Sequence, residues 1–303
     1  MEHRLLVVPA LLCAAALVLA GCGKDGGAAK GDAAADVPLG PISQRLADLE
    51  KRFDEDTAAA MSTALEEAVA ACMKEQGFDY TPQAWDASDV AQAADVPEWG
   101  SLEFAKTYGY GITTWQDMPG VEETTETAAP GTETSQVMDE AYSEALWGGG
   151  TDEDEPGEAW LPGGCYGEAL EAMGTDDLMS STVLRDINGF ASQADRDDRV
   201  VAALDGWTTC MADKGYDYQT SDAAQSSIMQ RAYSDDGEPL TGDALEALQT
   251  EEIATAVADH ECGTGLERVR AGVLAELETD YYADHKAEVD AFFVQLEEFL
   301  AHH

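Results

Sequence analysis

A nine-residue phrase occurs twice in this chain, as CMKEQGFDY at residues 72–80 and as CMADKGYDY at residues 210–218. Each copy follows an amphipathic helical pattern, and a glycine in that place favours the left-handed residue that ends a helix. The methionine after the cysteine turns toward the core, and the aromatic residue after the glycine folds back onto the last turn. The phrase therefore predicts a helix end with a cysteine in the last turn that faces the core, where another cysteine can meet it. The chain contains this helix end twice.

The N-terminus has the pattern of an export signal. Residues 5–19 form an apolar run that is too short for a stable membrane span. The run ends in LAGC at 19–22, which looks like the lipobox of bacterial lipoproteins. This resemblance implies that residues 1–21 are removed and that Cys22 receives a diacylglyceryl group and fatty-acyl chains such as palmitate, followed by a flexible tether to residue 40. An ordinary secretory signal is the alternative.

Four cysteines remain beyond the signal and the lipobox: Cys72, Cys165, Cys210 and Cys262. An even number in an exported chain predicts two disulfides, although four cysteines allow three pairings. A zinc site is the rival interpretation, but zinc sites favour closely spaced pairs and these cysteines lie far apart in sequence. Because each repeated phrase is followed by one further cysteine in its own half, we predict the bonds Cys72–Cys165 and Cys210–Cys262.

Apolar residues recur every three or four positions through most of the mature chain, which is the period of an amphipathic helix. Residues 41–76 predict one long helix or two, and residues 245–262 predict a helix that is followed by a separate long one from residue 266 to about 301. No convincing strand pattern occurs. The sequence predicts an all-α, disulfide-stapled helical bundle with long acidic loops, in which two degenerate halves, 41–190 and 191–303, form one compact domain.

The chain carries 61 acidic and 16 basic residues and a formal net charge of −45. Nucleic-acid binding needs a basic surface, and anionic headgroups would repel this body, so contact with the membrane is expected only through the lipid anchor. A solvated acidic surface is the simpler interpretation, and attraction of cations or cationic peptides is the alternative. The acidic run at 151–158 lacks the residue order of a calcium loop, so no metal site is predicted.

No motif of nucleophilic, metal-dependent or phosphate-binding catalysis occurs in the sequence. Carboxylates are so frequent that their proximity in sequence carries no information about a glycosidase pair. His285 falls on the apolar stripe of the last helix, where an interface histidine is favoured over a functional one. We therefore predict no catalytic residue and no cofactor.

The best candidate binding loop is TYGYGIT at residues 107–113. Its two glycines permit unusual backbone angles and close approach, and Tyr108, Tyr110 and Trp115 supply stacking faces. The favoured alternative is a helix end whose aromatic side chains cover the core.

Several stretches together resemble a group of actinobacterial cell-envelope lipoproteins. They are the lipobox, the repeated C-M-x-x-x-G-[FY] helix ends, YGYGI at 108–112, AYSEALWG at 141–148 and the helix over 254–262 that ends in Cys262. The resemblance covers most of the mature chain, and none of its motifs is diagnostic of an activity. Some members accompany ABC exporters with periplasmic-type adaptor proteins, which implies an accessory role in the envelope.

The sequence favours a non-catalytic protein, a binding or scaffold component at the outer face of the cytoplasmic membrane with an envelope or transporter protein as partner. Capture of cations or cationic peptides by the acidic surface is the second hypothesis. Hydrolysis of cell-wall material, which would need a cleft with carboxylates of raised pKa, is the third.

Overall fold

The computed structural model describes residues 39–52, 55–82, 96–119, 140–148, 163–234 and 237–302. The predicted all-α class is confirmed over these ranges, which contain no strand and only one isolated bridge, between Tyr233 and Pro239. The helices are α1 Pro41–Glu50, α2 Glu55–Glu75, α3 Leu102–Tyr108, α4 Glu140–Trp147, α5 Gly164–Ala172, α6 Asp176–Met179, α7 Thr182–Asn188, α8 Phe190–Ala194, α9 Asp198–Asp213, α10 Ser221–Arg231, α11 Gly242–Asp284 and α12 Lys286–His302.

The longest helix, α11, has 43 residues and at the standard rise is about 65 Å long. Helices α1, α3, α8, α9, α10 and α12 all contact it. The predicted separation of two helices at 263–265 is wrong, because α11 runs straight through Gly263 and Gly265. Glycines inside a helix are unfavourable by about 1 kcal/mol each, and the packing of α9 along this stretch, with Trp207 lying against Gly263, offsets that cost.

The helix break lies instead at His285, between α11 and α12. The prediction of an interface histidine is wrong as well, since the His285 side chain is exposed and stacks on Tyr281 with ring centroids 4.4 Å apart. The change of direction brings the apolar face of α12, including Val289 and Phe293, into the same core as α1. The apolar stripe is therefore continuous across a break that no glycine or proline marks.

Most buried apolar side chains form one large cluster, to which α1, α2, α4, α5, the short helices α6–α8 and α12 all contribute. A smaller cluster surrounds Trp207, Met211 and Ala258, where α9 packs on α11. Of the two alternatives for residues 41–76, the structure has two helices, α1 and α2. The short helices between residues 176 and 194 are too brief for a helical period to be visible in sequence.

Both predicted disulfides are present: Cys72–Cys165 joins α2 to α5, and Cys210–Cys262 joins α9 to α11. The two helix ends have the same hydrogen bonds. Phe78 N–H donates to the Met73 carbonyl at 2.9 Å, and Tyr216 N–H donates to the Met211 carbonyl at 2.9 Å.

Gly77 and Gly215 supply the positive φ angles that these ends require, 89° and 93°. Met73 and Met211 are fully buried. The repeated phrase is therefore a repeated helix end with a cysteine held against a neighbouring helix.

Candidate functional site

The predicted binding loop follows α3, which begins where the Ser101 hydroxyl accepts a hydrogen bond from Phe104 N–H. Beyond α3 the backbone folds over α11 and surrounds the side chain of Glu252, which is fully buried. The Glu252 carboxylate accepts hydrogen bonds from the N–H groups of Tyr110 at 3.1 Å, Ile112 at 2.7 Å and Thr113 at 2.9 Å, and also from the Thr113 hydroxyl. The polar backbone groups of the loop are therefore directed inward at a carboxylate of the protein itself.

Glycine is required in this loop because the backbone lies so close to α11. Gly109 has a φ of 64°, and a Cβ atom added there would lie 2.7 Å from Cγ of Glu252 and 3.0 Å from the backbone nitrogen of Ile253. Gly111 has a φ of 75°, and the Trp99 ring packs over it. Both angles are in the region that other residues rarely adopt. The glycines predicted for close approach to a ligand are used for close approach to α11.

Tyr110 also reaches a second buried carboxylate, that of Asp259, two turns further along α11. Asp259 accepts hydrogen bonds from the Tyr110 hydroxyl at 3.0 Å, from Trp207 Nε1 at 2.8 Å and from the Ser221 hydroxyl. Burial raises the pKa of Asp259, and the hydrogen bonds from Ser221, Trp207 and Tyr110 oppose that rise. Burial and the neighbouring Asp259 raise the pKa of the Tyr110 hydroxyl, so it stays a donor at physiological pH. Asp259 thus ties the loop, α9 and α10 to α11.

The three aromatic residues of the predicted loop have different surroundings. Tyr110 is bonded to α11, and Tyr108 is half-buried beside Phe104, with ring centroids 5.4 Å apart. Trp115 remains 48% exposed, and Trp99 is exposed to a similar extent at 46%. Only Trp115 of the predicted set presents a largely free ring face. The favoured alternative, aromatic side chains that cover the core, describes Tyr108 and Tyr110.

A third buried carboxylate, Glu278 near the C-terminal end of α11, forms the N-terminal cap of α1. It accepts hydrogen bonds from Ile42 N–H at 3.0 Å, Ser43 N–H at 2.8 Å and the Ser43 hydroxyl at 2.5 Å. Gly40, the last residue of the predicted tether, is buried at the start of α1, and a Cβ atom there would lie 2.6 Å from Cδ of Glu278. Burial raises the pKa of Glu278, against the effect of these hydrogen bonds.

A fourth buried carboxylate, Glu66, belongs to α2, the helix that also carries Cys72. It accepts hydrogen bonds from the hydroxyls of Tyr80 at 2.8 Å and Tyr166 at 2.7 Å. Burial and this carboxylate raise the pKa of both phenols. We call Cys72–Cys165 with Glu66, Tyr80 and Tyr166 the first joint. We call Cys210–Cys262 with Asp259, Trp207, Tyr110 and Ser221 the second joint.

Sequence reasoning missed these buried carboxylates. A partial signal exists for two of them, because Glu252 and Asp259 lie on one face of α11 with the buried residues Leu248 and Ala256. An acidic residue at an apolar position of a helix predicts a buried hydrogen-bonded group. In a chain with 61 acidic residues, that signal is easily overlooked.

The predicted lipid anchor lies in a part of the chain that the structure does not describe. Cys22 and the predicted N-terminal signal lie outside the described residues. Within the part of the chain that the structure describes, no three His, Cys, Asp or Glu side chains come together to hold a metal ion, and no helix is long and apolar enough to cross a bilayer. No family model, curated protein or solved structure matches the chain.

Proposed function

We propose that this protein is a non-catalytic, lipid-anchored component of the bacterial cell envelope that acts as a binding or scaffold body at the outer face of the cytoplasmic membrane. The observation that carries the proposal is the pair of disulfides, Cys72–Cys165 and Cys210–Cys262. Structural disulfides form and persist in exported proteins. They stand in the same chain as an N-terminal export signal that ends in a lipobox-like cysteine, Cys22.

The hydrogen bonding of the buried carboxylates supports a structural rather than a catalytic role for them. Glu252, Asp259 and Glu278 each accept three or more hydrogen bonds from backbone or side-chain groups of the fold. A general acid or base needs a carboxyl that reaches a substrate proton. These carboxyls reach helix ends and a loop, so we assign them to holding α1, α3, α9 and α10 in place on α11.

The resemblance to envelope lipoproteins extends the proposal to a role beside an ABC transporter system. A rigid acidic body on a lipid tether would stay close to the membrane while anionic headgroups repel its surface. Such a body suits a contact with another envelope protein better than a contact with the bilayer.

The anchor is tested by expressing the full chain in a bacterium with lipoprotein processing and measuring the mass of its mature N-terminal peptide. We expect a peptide that begins at Cys22 and carries diacylglyceryl and acyl groups, and a protein that stays in the membrane fraction and is digested by protease added to intact spheroplasts. The Cys22→Ala variant should lack the lipid mass and keep the signal peptide. A wild-type chain that matures at another residue, or that protease reaches only after lysis, would overturn the proposal.

A further inference from the structure

A groove of about 430 Å³ opens beside the C-terminal end of α11. The wall opposite α11 consists of α7, α8 and Gly189 between them. Its lining combines three apolar or aromatic side chains with three carboxylates: Phe190, Leu277 and Tyr281, and Asp186, Asp280 and Asp284. This volume falls within the range of small-ligand sites, roughly 300–1,000 Å³. We call it the α11 terminal groove.

The aromatic part of the groove is held in place by its own contacts. Phe190 and Tyr281 pack edge to face with ring centroids 5.4 Å apart, and the Tyr281 hydroxyl donates to Asp186 at 3.0 Å. His285 stacks on Tyr281. Burial and the Asp186 carboxylate raise the pKa of Tyr281 to about 12, so the phenol remains a donor and fixes Asp186 at the edge of the groove.

Two carboxylates of the groove lie at the C-terminal end of α11, where the helix dipole is unfavourable for negative charge. Asp280 and Asp284 stand four residues apart in its last turn, where no basic residue occurs and where the helix dipole is negative. Within the described ranges, no hydrogen bond or ion pair joins either carboxylate to another residue. The end of α11 thus adds two carboxylates without bonded partners among the described residues to a groove in which three carboxylates face one guanidinium, that of Arg185.

Among the described contacts, Arg185 forms no ion pair with the groove carboxylates, but its guanidinium keeps its charge. Arg185, which lines the groove, donates to the Thr182 hydroxyl at 3.1 Å. Lys286 pairs with Asp290 of α12 and lies over the Tyr282 ring. A cation supplied from outside the chain would therefore meet the groove carboxylates without displacing an internal ion pair.

We propose that the α11 terminal groove binds an organic cation with an apolar stem, the chemistry of a lysine or arginine side chain or of a polyamine. The apolar floor formed by Leu277 and the Tyr281 ring suits methylene groups, and the carboxylates at the rim suit an ammonium or guanidinium head. A bare metal ion fits less well, because it gains nothing from that floor. This inference deepens the proposed binding role and rests on it, but it does not depend on the lipid.

The test is isothermal titration of the full chain, in detergent and at about 150 mM salt to screen general charge attraction. One arm uses spermidine and the other uses acetyl-Gly-Arg-Gly-amide. Saturable one-site binding of either probe supports the proposal, and the tighter arm identifies the source of the cation. Failure of both probes to saturate would overturn it.

Two variants locate the binding. Asp280→Asn with Asp284→Asn removes two charges from the groove, and Gly189→Leu narrows the groove without changing charge. We expect each to weaken binding at least about tenfold. The matched control, Asp243→Asn with Glu246→Gln, removes two exposed charges from the other end of α11 and should weaken binding less than about twofold.

Equal losses in the groove variants and in the control would assign the binding to general acidity and overturn the proposal. The failure of this inference is separable from failure of the proposed anchor. Cys22→Ala should leave the titration unchanged, and the groove variants should leave the N-terminal peptide mass unchanged.

Discussion

The two joints share a helix end but differ in where the buried carboxylate comes from. In the first joint Glu66 belongs to α2, the helix that carries the repeated phrase, and its donors are Tyr80 of that phrase and Tyr166 beside the partner cysteine. In the second joint Asp259 belongs to α11, the partner helix, and its donors come from three other segments. The first joint is therefore local to α2 and α5, whereas the second connects α9, α10 and the loop after α3 to α11.

This difference shows that the repeated phrase specifies the helix end and the cysteine position, and leaves the polar partner to the surroundings. The second joint has several independent contacts besides its disulfide. The first joint connects fewer segments, because α5 packs mainly on α2 and α4. Removing the disulfide, the carboxylate and the glycine of each joint in turn tests this difference.

The largest effect is expected from the disulfides. The bonds span 93 and 52 residues, for which the chain-entropy model gives roughly 4.7 and roughly 4.1 kcal/mol. We expect Cys72→Ala with Cys165→Ala to lower the free energy of unfolding by about that amount. Cys210→Ala with Cys262→Ala should cost about 0.5 kcal/mol less than the first pair, because its loop is shorter and constrains the unfolded chain less.

Urea unfolding of the oxidised wild type and the two double variants measures both losses, and dithiothreitol-treated wild type should approach a chain that lacks both bonds. A larger loss for the second pair of substitutions than for the first would mean that loop length does not decide the contribution of each bond.

The next effect is expected from the carboxylates. Asp259→Ala leaves the indole N–H of Trp207, which is 2% exposed, without its acceptor, and we expect a loss of about 3 kcal/mol. Glu66→Ala leaves the hydroxyls of Tyr80 and Tyr166 without their acceptor. Because water can reach the half-buried Tyr80, we expect the free energy of unfolding to fall by only about 2 kcal/mol. Chemical denaturation of both variants compares them. A larger loss for Glu66→Ala than for Asp259→Ala would mean that the carboxylate of the first joint contributes more to stability than that of the second.

Asp259 should also make the stability of the second joint depend on pH. Because burial raises its pKa in the folded state, the protonated form stabilises the fold. That contribution is complete below the unfolded pKa of about 3.9 and is lost as pH rises through the folded pKa. The free energy of unfolding of the wild type, relative to Asp259→Asn, should therefore fall from pH 4 toward neutral pH. Asn can accept from Trp207 and donate to the two hydroxyls, so it preserves the contacts.

Thermal unfolding from pH 4 to pH 8 measures this difference, and Asp222→Asn, an exposed aspartate of α10, gives the baseline for general charge. A wild type that gains stability over Asp259→Asn as pH rises would contradict the assignment of burial as the dominant cause.

The repeated phrase explains why much of the fold could be predicted. The helix ends at Gly77 and Gly215 depend on local sequence, and the cysteine pairing follows from the order of the cysteines in each half; the structure has both. The break at His285 could not be predicted, because it has no glycine or proline and the apolar period continues across it. Its position is decided by the packing of α12 beside α1, a contact between the two ends of the described chain.

The buried Glu278 was beyond prediction for a related reason. Glu278 and Ile42, which share a hydrogen bond, are 236 residues apart in sequence, and nothing near Glu278 distinguishes it from the other acidic residues of α11. Gly40 and Gly109 carried the complementary signal, since each leaves room for a glutamate of α11. A glycine predicts that something approaches the backbone, but only the fold identifies what approaches.

The smallest expected effect concerns the feature that the joints share. Gly77 and Gly215 have φ angles of 89° and 93°, and a Cβ atom added at either would meet nothing within 4 Å. Gly77→Ala and Gly215→Ala should therefore lose only the backbone preference, about 1 kcal/mol each, and Asn at either position should lose less because it tolerates left-handed angles. Urea unfolding of the four variants compares the ends. A difference between the two alanine variants larger than about 0.5 kcal/mol would mean that neighbouring residues alter the stability of each helix end. The repeated phrase would then not be an independent unit.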